Sequence, residues 1–430
     1  MAKSYICQMR IKVLVILLLA AQIILTFKGR IVFDKYQNPL ILFTVSAGIA
    51  ILFFFQHIRK QEAQAVPAPR LQFLPGVLWF LAGMLPMALA YEELRKLFVE
   101  FPDPARWSDV IPQLETLYQR FDRGEFPYTP VPLPTHSPYP VYMPLHWLPI
   151  GLGDWLGISS RWLGYGMLGL ASGLYGLWVG RQRAPWLTRF IALFLPSLGL
   201  WGFIIWGGLE LPVSLETIIA AYYLLLAVGL LERNLRLVTL GLICCLLSRY
   251  TLIFWLPLLA YVIFRQQALR QNIWVWGTVA LSILLLYVFP FFLKDSSIFS
   301  KGITHHNNSA VGEWTGYGNP PVSWSMESGI YFAVFMKPLF SGEMEHRVWL
   351  ARVVQASIML VLLIFGLWAY HRWKPKLHPY SLCLVMLYAV LTCFYFFSPM
   401  TFKYYYLVLF VLSATVTAKV LLTPDKRASG

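Results

Sequence analysis

The chain has 430 residues, of which 58% are hydrophobic and only 13% are charged, and its net charge is +15. A soluble domain carries roughly 25% charged residues, so this composition excludes a soluble protein and indicates a polytopic α-helical membrane protein. The basic residues stand in short clusters between apolar runs, which is typical of topology determinants and of attraction to anionic lipid, not of nucleic-acid binding.

Apolar runs long enough to span a membrane recur along the whole chain. They predict about twelve spans: 11–27, 40–56, 71–91, 159–180, 190–207, 212–231, 237–248, 251–264, 273–293, 348–370, 380–397 and 402–420. The first run resembles a signal peptide, but no Ala-x-Ala-like cleavage site precedes Lys28, which favours an uncleaved helix. The basic clusters all fall on one side, which the positive-inside rule makes cytoplasmic, with both termini inside. We therefore expect a multi-pass protein of the cell (inner, cytoplasmic) membrane.

Two apolar runs need a different interpretation. The run 141–158 contains two prolines and three glycines that break helices, and counting it as a span would put nearby arginines outside. It predicts a re-entrant or interfacial helical element. The run 237–264 is flanked by basic residues at both ends, so both ends are expected on the cytoplasmic side and the chain must cross the membrane twice. It predicts two short helices that meet at Ser248-Arg249-Tyr250.

With this topology, two long loops, 92–158 and 294–346, face outward. They hold fourteen of the 20 acidic residues, nine in the first loop and five in the second, so any chemistry is expected on the outer side. The first loop is acidic, aromatic and proline-rich, with the motifs Trp107-Ser-Asp-Val110, Gly124-Glu-Phe-Pro-Tyr128 and Tyr139-Pro-Val-Tyr-Met-Pro144. A carboxylate held just outside a membrane beside aromatic rings is what an enzyme acting on a lipid-linked substrate needs.

Asp109 is the first candidate for a catalytic carboxylate. The alternative is a helix N-cap, because Ser108 or Asp109 precedes a helical stretch predicted over 110–123. Both interpretations can hold together, since a helix N-terminus also favours an anionic group.

Three further charged residues are predicted near the outer surface. Arg249 is a phosphate-binding candidate because a cation is costly at that depth and guanidinium forms a bidentate fork to phosphate; an internal salt bridge and snorkelling are the alternatives. Glu210, in a turn between two spans, is either a solvated residue or a second acid that orients acceptor hydroxyls. Lys403, at the mouth of the last span, is either an interfacial anchor or a second phosphate contact.

His305 and His306 form the polar centre of the second loop, where a histidine contact to sugar or phosphate competes with a solvated loop. Adjacent histidines point opposite ways in an extended chain, so they predict no metal site, and no metal-binding or nucleotide-binding motif occurs elsewhere. The five cysteines lie outside the long loops, which argues against disulfides and a Cys-ligated metal. No cofactor is expected.

These motifs, in this order and topology, resemble the GT-C superfamily of integral-membrane glycosyltransferases, and in particular the GT87 type formerly called DUF2029. The resemblance is carried by the first-loop motifs above, by Gly207-Gly-Leu-Glu-Leu-Pro-Val213 in a turn, and by Leu246-Leu-Ser-Arg-Tyr-Thr251 between two short helices. It implies three parts: two N-terminal helices with a cytoplasmic linker (1–70), a GT-C-like transmembrane catalytic module (71–420) and a cytoplasmic tail (421–430).

The resemblance implies an inverting transferase that moves a sugar, mannose-like, from a polyprenyl-phosphate donor to a hydroxyl of a glycolipid or glycan acceptor on the outer face. In that scheme Asp109 is the base, and Arg249 and Lys403 bind the donor phosphate. Glu210, His305, His306, Tyr128 and Tyr142 contact sugar or acceptor. The competing hypothesis is a lipid or polysaccharide transporter or flippase, but such proteins usually carry their charges in mid-membrane segments and show repeats.

Overall fold

A computed structural model describes residues 2–60, 72–133, 137–316, 322–374 and 376–423, and these residues are helical without a β-strand. Within these ranges the structure has eighteen α-helices, α1–α18: Ala2–Val32, Gln37–Lys60, Phe73–Glu100, Val110–Asp122, Pro144–Trp147, Ile150–Leu156, Ser160–Gly180, Trp186–Gly202, Glu216–Glu232, Leu235–Leu246, Leu256–Gln266, Leu269–Ile283, Ile298–Thr315, Trp324–Glu327, Ala333–Leu339, Met344–Trp373, Pro379–Phe396 and Tyr406–Leu422. The linker 61–71 and the tail from 424 lie outside the described residues, as does His136, which the sequence places in a loop.

Eight helical segments in the described part of the chain are long and apolar enough to cross a membrane, so this is a membrane-embedded protein. They are Met9–Val32, Gln37–Ile58, Phe73–Glu100, Trp186–Glu210, Leu269–Phe292, Met344–Trp373, Pro379–Phe396 and Lys403–Leu422. The other four predicted spans are helical as well and form α7, α9, α10 and α11. Because α10 and α11 have only 12 and 11 residues, the count of twelve spans stays a prediction.

Glycines let α3 and α7 cross closely. A Cβ atom on Gly176 would lie 2.3 Å from the carbonyl oxygen of Trp79, and one on Gly83 would lie 2.3 Å from the carbonyl oxygen of Ser172. Small residues that let helix backbones approach are a common basis of packing inside membranes. On its other side α7 packs against α9, whose side chains are buried almost throughout.

The first two helices are tied to helices near the end of the chain. The side-chain amide of Gln22 in α1 donates to Ser46 in α2 at 2.9 Å and to the Tyr388 hydroxyl in α17 at 3.1 Å. The Tyr388 hydroxyl donates in turn to the backbone carbonyl of Ser46 at 3.0 Å. The Gln56 amide donates to the carbonyl of Val420 in α18 at 2.8 Å. The N-terminal pair is therefore part of the main bundle.

Both predicted breaks in the helical pattern are present. The run 141–158 is not one span, because it forms the two short helices α5 and α6. Helix α6 is ended by Gly157, which has a φ of 67°. Between α10 and α11 the chain is extended at Arg249, and a 3₁₀ turn over Tyr250–Phe254 follows. The backbone N–H of Leu145 donates to the carbonyl of Leu247 at 2.7 Å, so α5 lies against this break.

The two long loops meet at one end of the bundle, called here the loop face. The ammonium of Lys301, in the second loop, lies 5.9 Å from the ring centre of Tyr139, in the first loop. Within the first loop, the guanidinium of Arg120 in α4 donates to the carbonyls of Pro127, Thr129 and Pro130 at 3.2, 2.8 and 2.9 Å. This clamp fixes the segment that carries Tyr128.

One helix boundary in the first loop was predicted wrongly. Helix α3 continues to Glu100 instead of ending at 91, because the polar residues that follow the apolar run still favour a helix. Glu92 pairs with Arg95 at 2.6 Å and Glu93 with Lys96 at 2.7 Å, both at a spacing of three residues. Asp109 consequently lies only nine residues beyond the helix end.

Candidate functional site

Arg249 sits at the helix break in a buried ion pair. Its Nη2 atom lies 2.5 Å from Oε2 of Glu216, at the start of α9, and the two side chains are 14% and 2% exposed. Of the alternatives left open by the sequence, the internal salt bridge is therefore observed. A cation at this depth needs such a partner because isolated charges are costly to remove from water.

Aromatic rings enclose the guanidinium of Arg249. Its central carbon lies 4.4 Å from the ring centre of Tyr405, and its Nη1 atom donates to the Tyr395 hydroxyl at 3.3 Å. The rings of Tyr395 and Tyr405 are stacked, with centres 5.5 Å apart. Planar guanidinium suits such stacking better than ammonium does, which gives Arg a physical advantage over Lys at this position.

Asp109 lies at the N-cap position of α4 but does not cap the helix with its side chain. Its carboxylate accepts from Nε2 of Gln113 at 2.8 Å, while Ser108 Oγ accepts from the backbone N–H of Val110 at 3.2 Å. Since the serine serves the helix end, the half-buried carboxylate of Asp109 remains partly accessible and is oriented by an amide. The capping alternative therefore does not account for the aspartate side chain.

Tyr142 links Asp109 to the Arg249 ion pair. Burial raises the pKa of Tyr142, the nearby carboxylates of Asp109 and Glu216 raise it further, and the positive charge of Arg249 opposes the rise without cancelling it, so the hydroxyl stays protonated. These residues, together with Tyr405 and His146, are called the Arg249 cluster below. At the loop face, the cluster joins the first long loop to the start of α9, to the break between α10 and α11 and to the 3₁₀ turn before α18.

His146, which lies in the long first loop of the sequence, is a buried member of this cluster and belongs to the short helix α5. It is 1% exposed, its ring stands edge-on to Tyr142 with centres 5.1 Å apart, and burial together with Arg249 lowers the pKa of His146 far below its usual value. Neither ring nitrogen has a hydrogen-bond partner among the described residues. The neutral imidazole thus offers one donor and one acceptor to a molecule that enters the cluster.

Glu210 and Lys403, predicted separately, are brought together. Lys403 begins a 3₁₀ turn over Lys403–Tyr405, and its charge acts on Glu210, whose carboxylate also accepts from the backbone N–H of Tyr404. Because this turn also carries Tyr405, the pair lies beside the Arg249 cluster. Both positive candidates, Arg249 and Lys403, therefore have an acidic neighbour.

The two histidines of the second loop lie on helix α13 and not in an extended chain, so the expectation that they point opposite ways was based on the wrong local structure. Burial, with Arg352 and His305 nearby, lowers the pKa of His306 to about 3. Arg352 itself, in α16, lies within electrostatic range of Tyr405. It donates to Gln355 at 3.2 Å, and its Nη2 atom is buried without a partner among the described residues.

Tyr128 holds the first loop together. Its hydroxyl donates to the carbonyl of Tyr142 at 3.0 Å and accepts from Nε1 of Trp147 at 3.4 Å, and the side chain is 2% exposed. The Tyr128 hydroxyl is therefore engaged in positioning Tyr142. Only the ring of Tyr128 remains available, at the wall of a cleft between the two loops.

No three His, Cys, Asp or Glu side chains in the described part of the chain are arranged to hold a metal ion. The four cysteines whose side chains are described are free thiols.

Sequence reasoning missed three residues: Glu216 and His146 of the Arg249 cluster, and Arg352, which lies within electrostatic range of Tyr405. Glu216 and Arg352 were read as parts of apolar spans, although a lone carboxylate or guanidinium in such a run is itself a signal of function or pairing. His146 carries no such signal, because only the fold of α5 against the helix break buries it.

The fold and the site thus define a polytopic helical membrane protein with a charged and aromatic cluster at its loop face. No family model matches this sequence, and no curated protein or solved structure matches it either.

Proposed function

We propose that the protein is an integral-membrane inverting glycosyltransferase, which moves a mannose-like sugar from a polyprenyl phosphate to a hydroxyl acceptor on the outer face of the cell membrane. The observation that carries the proposal is the juxtaposition of a half-buried, oriented carboxylate, Asp109, with the buried guanidinium of Arg249 across Tyr142. Such a transfer needs both groups within one cavity: a base for the nucleophile and a cation for the leaving phosphate.

The reaction is a single displacement at the anomeric carbon. The acceptor oxygen forms a bond to that carbon and gives its proton to the Asp109 carboxylate. The bond from the carbon to the phosphate oxygen breaks, and its electron pair leaves with the polyprenyl phosphate. Attack from the face opposite the leaving group inverts the configuration, and no metal is required by this balance.

Positive charge at the cluster would stabilise the departing phosphate. Glu216 offsets part of the charge on Arg249, and Glu210 offsets part of that on Lys403. Arg352 donates to Gln355 and pairs with no carboxylate among the described residues, so it adds positive charge within electrostatic range of Tyr405. In this scheme Glu210, His305, His306 and the ring face of Tyr142 contact sugar or acceptor, while Tyr128 acts by holding Tyr142.

The test is transfer from a panel of radiolabelled polyprenyl-phosphate sugars to membrane lipids by the purified protein in lipid nanodiscs. Asp109→Asn should lower the rate about a hundredfold or more, the lower end of what a general base contributes. Asp103→Asn is the matched control, because Asp103 is an exposed aspartate of the same loop that caps a 3₁₀ turn, a role that asparagine preserves.

Transfer that survives Asp109→Asn would remove the aspartate from the role of base. Absence of transfer with every donor, for a protein that inserts and elutes as a single species, would instead favour the transporter hypothesis. A flipping assay with fluorescent lipid-linked saccharides would then decide between a transporter and an inactive protein.

A further inference from the structure

A recess lies between the two long loops and is lined by residues outside the Arg249 cluster. It is an open cleft of about 640 Å³ lined by Phe126, Tyr128, Thr129, Pro130, Tyr139, Lys294, Asp295 and Lys301. Its volume falls in the range of about 300–1,000 Å³ that is usual for small-ligand sites. Its walls combine aromatic rings, one carboxylate and two ammonium groups, a mixture that the Arg249 cluster does not use.

The cleft has a hydrogen-bond acceptor that stays ionised. Asp295 accepts from Ser297, through its backbone N–H at 2.9 Å and its hydroxyl, and from Lys301 Nζ at 2.9 Å. These hydrogen bonds lower the pKa of Asp295 to about 2. A carboxylate has about four acceptor sites, so about one remains after these three contacts, and Asp295 lines the cleft.

The cleft also has donors without protein acceptors. The hydroxyl of Tyr139 is buried and has no hydrogen-bond partner among the described residues. Burial raises the pKa of Tyr139 to about 12, with the Asp295 carboxylate contributing, so this hydroxyl keeps its proton. Lys294 is exposed and forms no ion pair within the described ranges. A buried hydroxyl that lacks a partner is unfavourable, and a hydrogen bond to a ligand hydroxyl would relieve that cost.

This set of groups suits the hydroxyls and the apolar ring face of a sugar. Aromatic rings offer flat apolar contact, the carboxylate accepts from hydroxyl groups, and the phenol and ammonium donate to ring and hydroxyl oxygens. A bare phosphate fits less well, because the Asp295 carboxylate would repel it.

The position of the cleft indicates how the sugar is carried. Lys294 and Asp295 directly follow the apolar segment Leu269–Phe292, one of the helices able to cross a membrane. The cleft therefore lies where a helix leaves the bilayer, within reach of a headgroup whose lipid stays in the membrane. Tyr128 lines the cleft and holds Tyr142 of the Arg249 cluster, so the two sites share a wall.

We infer that this cleft is the binding subsite for the saccharide headgroup of a lipid-linked acceptor, and that Tyr139 and Asp295 form hydrogen bonds to the hydroxyls of that saccharide. The acceptor role rests on the proposed transferase function, whereas saccharide binding does not. A free glycan and a glycolipid present the same sugar hydroxyls to these groups, and only the glycolipid adds a lipid anchor.

Binding is measured by saturation-transfer NMR on the full chain in nanodiscs, titrated with methyl α-mannoside or with octyl α-mannoside. We expect Asp295→Asn to weaken the apparent affinity about tenfold and Tyr139→Phe about fivefold, the effects of losing one charged and one neutral hydrogen bond. Asn keeps the acceptor that Ser297 uses, so the start of α13 is preserved. Asp122→Asn, an exposed change elsewhere in the first loop, serves as control.

A clearly higher affinity for the octyl glycoside identifies the lipid-linked source, and equal affinities identify a free glycan and overturn the lipid-linked part of the inference. Sugar binding that is the same in both cleft variants as in the wild type overturns the inference altogether. Asp109→Asn separates the two proposals: if it stops transfer while cleft variants bind normally, the transferase stands and the cleft fails. If cleft variants lose binding but no donor supports transfer, the saccharide site stands and the acceptor role fails.

Discussion

The Arg249–Glu216 ion pair allows a sharp test of how the Arg249 cluster is held. Breaking a buried pair by removing one partner costs roughly 3–5 kcal/mol, because the remaining charge is left unpaired. Arg249→Met leaves Glu216, which is 2% exposed and has one carboxylate oxygen already unpartnered in the described structure. We therefore expect this variant to lower the free energy of unfolding by about 3–5 kcal/mol.

Glu216→Gln should cost less. Arg249 then keeps the hydroxyl of Tyr395 at 3.3 Å and the ring of Tyr405 at 4.4 Å, and a cation over a desolvated ring is stabilised by up to about 2 kcal/mol. The double variant removes both charges and should be more stable than the sum of the single losses predicts. A coupling energy of about 2 kcal/mol or more is expected for groups in direct contact.

The measurement is reversible unfolding in mixed micelles at increasing SDS fraction, followed by tryptophan fluorescence. Arg95→Met with Glu92→Gln is the matched control, since that pair is 2.6 Å apart, close to the 2.5 Å of the buried pair, but about half exposed on both sides. Such surface pairs contribute only about 0–1 kcal/mol. Our reasoning is refuted if Arg249→Met costs no more than Arg95→Met, or if the double variant is additive.

Two further predictions concern the first long loop. Burial raises the pKa of Glu115. The protonated carboxyl therefore contributes its full stability below its ordinary pKa, and this contribution is lost as the pH rises through the raised value. Glu115→Gln should raise the unfolding midpoint at pH 7 but not at pH 4, and an equal rise at both pH values would contradict this prediction. Arg120→Ala removes three hydrogen bonds to carbonyls within residues 127–130. It should destabilise the protein by about 1–3 kcal/mol and make that segment more rapidly cleaved by a protease. In the control Arg123→Ala, an exposed change, the segment should be cleaved at the wild-type rate.

The sequence predicted the helices and their interruptions well, because both depend on local composition. Apolar runs placed the helices, and the prolines and glycines of 141–158 correctly excluded a continuous span. The break at Arg249 was predicted because basic residues at both ends of 237–264 require both ends on the same side of the membrane. The backbone is extended at Arg249, as such a break requires. Composition failed where polar residues continue a helix, as in the last turns of α3 and around His305 in α13.

The partners of the site could not be predicted, because they depend on which helices pack together. Glu216 and Arg249 are 33 residues apart, and Arg249 and Tyr395 are 146 apart. No spacing rule connects such positions in one sequence. The orientation of Asp109 toward Gln113 was equally hidden, since the cap motif admits Ser108 or Asp109 as the group that serves the helix end.

The contacts of the first two helices with the last two have a consequence for biogenesis. Gln22 and Gln56 leave the ribosome early, but their partners Tyr388 and Val420 are made only when the chain is nearly complete. Until then the Gln56 amide lies in an apolar bilayer without its acceptor, and the Gln22 amide has only Ser46 of its two acceptors, which is unfavourable. We expect chains that stop before α17 to insert yet remain recognisable to membrane quality control, so that only full-length molecules persist.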